Sequence, residues 1–166
     1  GLFEHLGEQD LVSFTGSAAT ARQLRAHPAI IERSVRFNAE ADSLNCSVLG
    51  PDAEPGTPEF DLYVGQLVTE MTVKAGQKCT AIRRALVPAA LADQVAEAAR
   101  DRLATVVVGN PAEEGVRMGA LAGLEQREEV RRSVKALLSA GKIVSGDPYH
   151  VDVVGASAER GAFMAP

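Results

Sequence analysis

The stretch Leu11-Val12-Ser13-Phe14-Thr15-Gly16-Ser17-Ala18-Ala19-Thr20 decides how the chain folds. A short apolar run, a small-residue turn and a serine placed to cap a helix over 18–26 read as strand, turn and helix start. Such a junction presents backbone N–H groups and the positive end of a helix dipole, which suits an anion such as a pyrophosphate. A plain strand-to-helix connection would read the same way.

Working outward, Val35-Arg36-Phe37-Asn38 alternates as a second strand and 44–49 as a third, with Glu40 and Asp42 in the link between them. Cys46 shares its face of that third strand with Leu44 and Val48, so the alternation predicts a core residue. The breaker-rich run 50–58 predicts the least ordered stretch. Over 59–75, Phe60, Val64, Leu67, Val68, Met71 and Ala75 recur at helical spacing, and Gly76 is placed to stop the helix. Residues 83–87 read as a strand. Pro88 opens an alanine-rich helix to about Leu103, with Leu91, Val95, Ala99 and Leu103 on its inner face. Residues 105–109 read as a buried strand, 125–138 as a helix buried through Val130, Val134 and Leu137 and ended by Gly141, and 142–144 as a short strand. Strands alternating with helices of this length predict an α/β fold with a parallel or mixed sheet covered on both faces.

At 166 residues, 46% hydrophobic and 23% charged, the chain suits one domain, or one domain plus part of another. A formal charge of −5 with no basic face argues against nucleic acid and for a small-molecule partner. Two cysteines are too few for a disulfide scaffold and no signal peptide opens the chain, so a cytoplasmic protein is expected. No apolar run approaches the roughly 20 residues that cross a bilayer, which predicts no membrane partner. Because the chain starts at Gly1 and stops at Pro166 just after an apolar run, we expect a piece of a longer polypeptide.

Chemistry gathers at Ala75-Gly76-Gln77-Lys78-Cys79-Thr80. The thiolate is the reactive form of cysteine; Lys78 is a neighbouring cation, Gly76 lets backbone approach a ligand, and Gln77 and Thr80 make the loop wet. An isolated cysteine is more often a small buried hydrophobe, and that alternative stays open from the residues alone. Glu40 is a candidate base, although an acid after a strand is commonly a solvated loop charge. His5, His27 and His150 lack the partner pattern of a cysteine peptidase and read as surface residues. There is no Cys-x-x-Cys, and the spacing suits no metal.

Taken in order, Phe14-Thr15-Gly16-Ser17, the Glu40 strand end, Gly76-Gln77-Lys78-Cys79 and Arg83-Arg84-Ala85-Leu86-Val87 resemble the aldehyde dehydrogenase superfamily. Val108-Gly109-Asn110-Pro111, Gly119-Ala120-Leu121 with Gln126-Arg127-Glu128-Glu129-Val130, and Gly161-Ala162-Phe163-Met164-Ala165-Pro166 are similar to later motifs of the same family. The wording of 40–45 and 71–84 is similar to the branch that oxidises CoA-thioester semialdehydes in aromatic-compound degradation, including the dehydrogenase part of bifunctional phenylacetate-degradation proteins.

The resemblance implies a three-layer α/β catalytic domain over 44–166, truncated at its C-terminus, with 1–43 a remnant of a Rossmann-like cofactor domain. It implies NAD(P)-dependent oxidation of an aldehyde to the acid. Cys79 would be the nucleophile and its N–H part of the oxyanion hole; Glu40 would be the base that activates water. It places Gly16 and Ser17 near the cofactor pyrophosphate and the Ala41 backbone near the nicotinamide amide, with NADP or NAD as cofactor. It also implies a homo-oligomer and motifs beyond the ends of this chain, from which we expect neither cofactor binding nor activity by this chain alone. The family's usual Glu-Leu-Gly-Gly appears here as Glu40-Ala41-Asp42-Ser43. A CoA-acylating dehydrogenase, which needs no base at 40, and a non-catalytic thiol or interaction module are the rival readings.

Overall fold

A computed structural model describes all 166 residues, which divide into two compact units, Gly1–Leu44 and Asn45–Pro166. Helices and parallel strand pairs give an α/β fold.

In the first unit β1 (Leu11–Gly16) leads into α1 (Ala18–Arg25), followed by α2 (Pro28–Glu32) and β2 (Arg36–Ala41). The Ser17 side chain accepts the Thr20 N–H and so caps α1; His27 caps α2 through the Ala29 N–H, ahead of Pro28 at the first helical turn. The capping role of His27 is a use that the spacing of histidines did not reveal. β1 and β2 pair in parallel with Leu11 opposite Arg36 and Gly16 opposite Ala41. Ala21, Ala29, Ile30 and Val35 form the small interior. Glu40 lies inside β2, one residue from its end, rather than in a link between strands.

The second unit is built on α3 (Pro58–Thr72) and α4 (Ala92–Ala104). Phe60, Tyr63 and Val64 of α3 and Val95 and Ala99 of α4 share one core with Leu49, Ala53 and Leu91. Val64 is fully buried. The inner face expected for α4 is the face found, because an alanine-rich helix offers only one stripe large enough to fill a core. Within the run 50–58 only Pro58, which opens α3, belongs to a regular element; turns at Ala53, Glu54 and Thr57 close the rest, and Ala53 is buried.

β3 (Cys46–Val48) and β4 (Arg84–Leu86) form a parallel pair, Cys46 opposite Arg84 and Val48 opposite Leu86. Their alternation is as expected, but the face is reversed: Cys46 is exposed, and so are Leu44 and Val48. The reason is that α3 packs from the Ser47 side, where the Tyr63 hydroxyl donates to the Ser47 carbonyl, and Cys46 and Val48 point to the opposite face. Burial pushes the Tyr63 phenol above its usual pKa.

Four further expectations are corrected. α3 ends at Thr72, not at Gly76: a 3-10 turn, Val73–Gly76, follows it, with Lys74 and Ala75 in the left-handed region. α5 (Leu124–Leu137) buries no residue, and Leu137 is 70% exposed. Residues 142–144 form no strand, and 105–109 contribute only the isolated bridges of Val108 with Met118 and Gly109 with Val154. Gly109 is required there, since a Cβ would stand 2.2 Å from the Val154 carbonyl oxygen. No helix is long and apolar enough to cross a membrane.

Candidate active site

The expected site residues fall into two groups, one in each unit. In Gly1–Leu44, pairing of β1 with β2 sets Gly16 beside Ala41 and Thr15 beside Glu40, at the carboxyl ends of two parallel strands. Ligands of open α/β sheets bind outside such strand ends. Glu40 is exposed. Ser17 stands at the cap of α1, where its hydroxyl also donates to Thr20 Oγ1 at 2.9 Å.

The α1 terminus is less open than the motif suggested. The first helical N–H, of Ala18, donates to Asp42 Oδ1 at 3.2 Å. Asp42 holds φ +52°, the region where a glycine is free and an aspartate is tolerated. Gly16 is overlaid by the Phe14 ring, so an added Cβ would stand 2.6 Å from Phe14 Cζ. In composition this end of the sheet fits a dinucleotide: two small residues side by side and a capped helix N-terminus, with the Asp42 carboxylate as the group that opposes a phosphate.

In Asn45–Pro166, Cys79 lies exposed in a turn that follows the 3-10 segment. Cys46 is exposed as well, so exposure alone does not single out the reactive thiol. The two cysteines differ in their local backbone. Cys46 is in a ladder with β4, whereas no backbone carbonyl accepts from the N–H of Cys79. Side-chain donors hold several of the carbonyls around Cys79: Arg83 Nη1 and Nη2 donate to those of Gly76 and Lys78, at 2.9 and 3.0 Å. Asn45 Nδ2 donates to those of Cys79 and Ala81, at 2.6 and 3.2 Å. Ala81, 1% exposed, anchors the far side of the turn. Gln77 ties the near side by accepting the Ala122 N–H and donating to the Lys74 carbonyl.

Lys78 does not act as the free cation that its place in the sequence suggested. Its ammonium pairs with Glu70 Oε1 at 2.7 Å, and Glu70 Oε2 is buried without a partner. Beside the turn lies a cavity of about 670 Å³ lined by Glu70, Met71, Gly76, Gln77, Arg83 and Met118 among others. Asn45 and Glu70 had not been singled out from the sequence, where their only signal was nearness to Cys79 and Glu40. Arg83 had been read only as part of a strand motif, and Asp42 only as a departure from the family's Glu-Leu-Gly-Gly.

An exposed cysteine with an uncommitted N–H, and a glutamate at a parallel strand end, are the tools of covalent carbonyl chemistry. Residues 3–166 match the aldehyde dehydrogenase family, and the chain belongs to it. It is 50% identical over 99% of its length to the 3,4-dehydroadipyl-CoA semialdehyde dehydrogenase of Aromatoleum evansii, spanning 32% of that protein. It is 32% identical over 96% of its length to the 3-succinoylsemialdehyde-pyridine dehydrogenase of a Pseudomonas species, spanning 31% of it. Betaine aldehyde dehydrogenase of Staphylococcus aureus, solved with NAD+, superimposes with a TM-score of 0.80 at 26% identity, over 95% of this chain and 29% of that one. The chain thus spans about a third of the length of these relatives.

Proposed function

We propose that the protein carrying this segment oxidises an aldehyde to the acid with NAD(P), through a thioester on Cys79 that Glu40 helps to hydrolyse. The observation that carries the proposal is the exposed, unpaired Cys79 with its own unclaimed N–H. Cys79 thiolate adds to the carbonyl carbon, and its N–H meets the oxygen that gains charge. Loss of hydride from the resulting thiohemiacetal leaves a thioester on Sγ. The cofactor, when bound, supplies the acceptor for that hydride. Glu40 then takes a proton from water as it attacks the thioester carbon, and Cys79 is released.

Residues 1–43 would belong to the cofactor-binding domain and 44–166 to the catalytic one. Gly16 and Ser17 would face the cofactor pyrophosphate, with the Ala41 backbone against its amide; the register of β1 with β2 supports this grouping. For the substrate class we propose a CoA-thioester semialdehyde of aromatic-compound degradation; the semialdehyde name of the Aromatoleum relative supports the first half of that description. A cytoplasmic homo-oligomer is the proposed setting, and the bare faces of Val48 and Leu86 are consistent with further packing.

The base separates hydrolysis from acyl transfer to CoA. In the full-length protein, Glu40→Gln should keep the first-turnover burst of reduced cofactor within about twofold while steady-state oxidation falls on the order of 10²-fold or more. An unchanged steady state removes Glu40 from the mechanism.

A further inference from the structure

We propose that Arg83 and Asn45 are positioning residues that aim the Cys79 N–H by pinning the two peptide planes on either side of Cys79. This rests on Cys79 as the nucleophile. A trans peptide is planar, with its C=O and N–H pointing in opposite directions, and this chain has no cis bond. The carbonyl of Lys78 and the N–H of Cys79 belong to one such plane. That carbonyl accepts from Arg83 Nη2 at 3.0 Å and from the Ala81 N–H at 3.1 Å, so the direction of the Cys79 N–H is fixed through its own peptide bond. The next plane carries the Cys79 carbonyl, which Asn45 Nδ2 holds at 2.6 Å. Cys79 Cα therefore hangs between two planes held from behind.

The two clamps are themselves anchored. The Asn45 carbonyl accepts the N–H groups of Arg83 and Arg84 at 2.8 and 3.2 Å, so the chain entering β3 and the chain entering β4 brace each other. Arg83 makes its second bond to Gly76, whose φ of +70° turns the chain after the 3-10 segment. A planar guanidinium with fixed donors can hold two carbonyls at once, and an ammonium cannot hold both in the same geometry. Donors that stabilise a developing oxyanion work by being aimed before the reaction.

The test compares the full-length protein with its Arg83→Met, Arg83→Lys and Asn45→Asp variants by three readouts. Single-turnover hydride transfer passes through an oxyanion; alkylation of Cys79 by iodoacetamide does not. Arg83→Met and Asn45→Asp should slow hydride transfer on the order of 10²-fold, with aldehyde KM and alkylation rate within about twofold, and Arg83→Lys should fall between. Amide exchange of the peptide spanning 76–82 should quicken about tenfold in the first two variants. Hydride transfer unchanged in Arg83→Met, or alkylation collapsing in parallel with it in all three variants, would overturn the aiming role. Should the unsubstituted protein oxidise no aldehyde, the dehydrogenase reading fails; exchange over 76–82 then judges the clamp, an increase upholding it and no change refuting it.

Discussion

Asp42 stands where the family's pattern has a glycine, and it occupies the left-handed backbone that glycine would take freely. Its carboxylate sits on the first N–H of α1, the place proposed for a pyrophosphate. Two like charges about 5 Å apart in a wet setting repel by about 1 kcal/mol, which is several-fold in affinity. Asp42→Asn keeps an acceptor for the Ala18 N–H and removes the charge. In the full-length protein it should therefore tighten NAD(P)+ binding several-fold in a titration at low salt, with the gain shrinking as salt is added. Unchanged or weaker binding would place the cofactor phosphate away from α1. Gly16, Ser17, Glu40, Ala41 and Cys79 are candidates that the order of short motifs suggests, because each motif is local. Asn45 is not: its bonds to Cys79 and Ala81 join residues 34 and 36 positions apart, and nothing in an asparagine before a strand announces them. The part that Glu70 plays in engaging Lys78 was hidden in the same way, one helix earlier.

Among the elements, α4 shows what periodicity can deliver and α5 what it cannot. Leu91, Val95, Ala99 and Leu103 recur at helical spacing and are buried; Val130, Val134 and Leu137 recur equally well, yet Val130 and Val134 are only half-buried and Leu137 is exposed. Spacing states which side chains share a face, not whether anything packs on it. β3 repeats the lesson, since Cys46 and Val48 do share a face and that face is bare. On its other side the Tyr63 hydroxyl donates to Ser47, and burial raises the pKa of the phenol. In the unfolded chain the phenol ionises near pH 10.0, while in the folded chain it stays protonated to higher pH. Its contribution is thus whole below pH 10.0 and is lost as pH rises through the folded value. Tyr63→Phe should cost about 1 kcal/mol at neutral pH by chemical denaturation. The variant should also lose less stability than the parent above that point; parallel pH profiles would show that the hydroxyl is not buried.

At the scale of the whole molecule, two compact α/β units carry the two halves of one proposed mechanism, the strand ends with Glu40 in one and the Cys79 turn in the other. The family is established by the match over residues 3–166, and about a third of the relatives' length is present. The proposed mechanism turns on a covalent step at a single sulfur. The most direct measurement is intact-mass and peptide mass spectrometry of the full-length Glu40→Gln protein, quenched after mixing with a semialdehyde and NAD(P)+. We expect an acyl group of the substrate's mass less one hydride equivalent, confined to the peptide bearing Cys79 and absent from Cys79→Ser. Reduced cofactor formed in the burst with no adduct on that peptide, or an adduct on Cys46 in its place, would contradict the account.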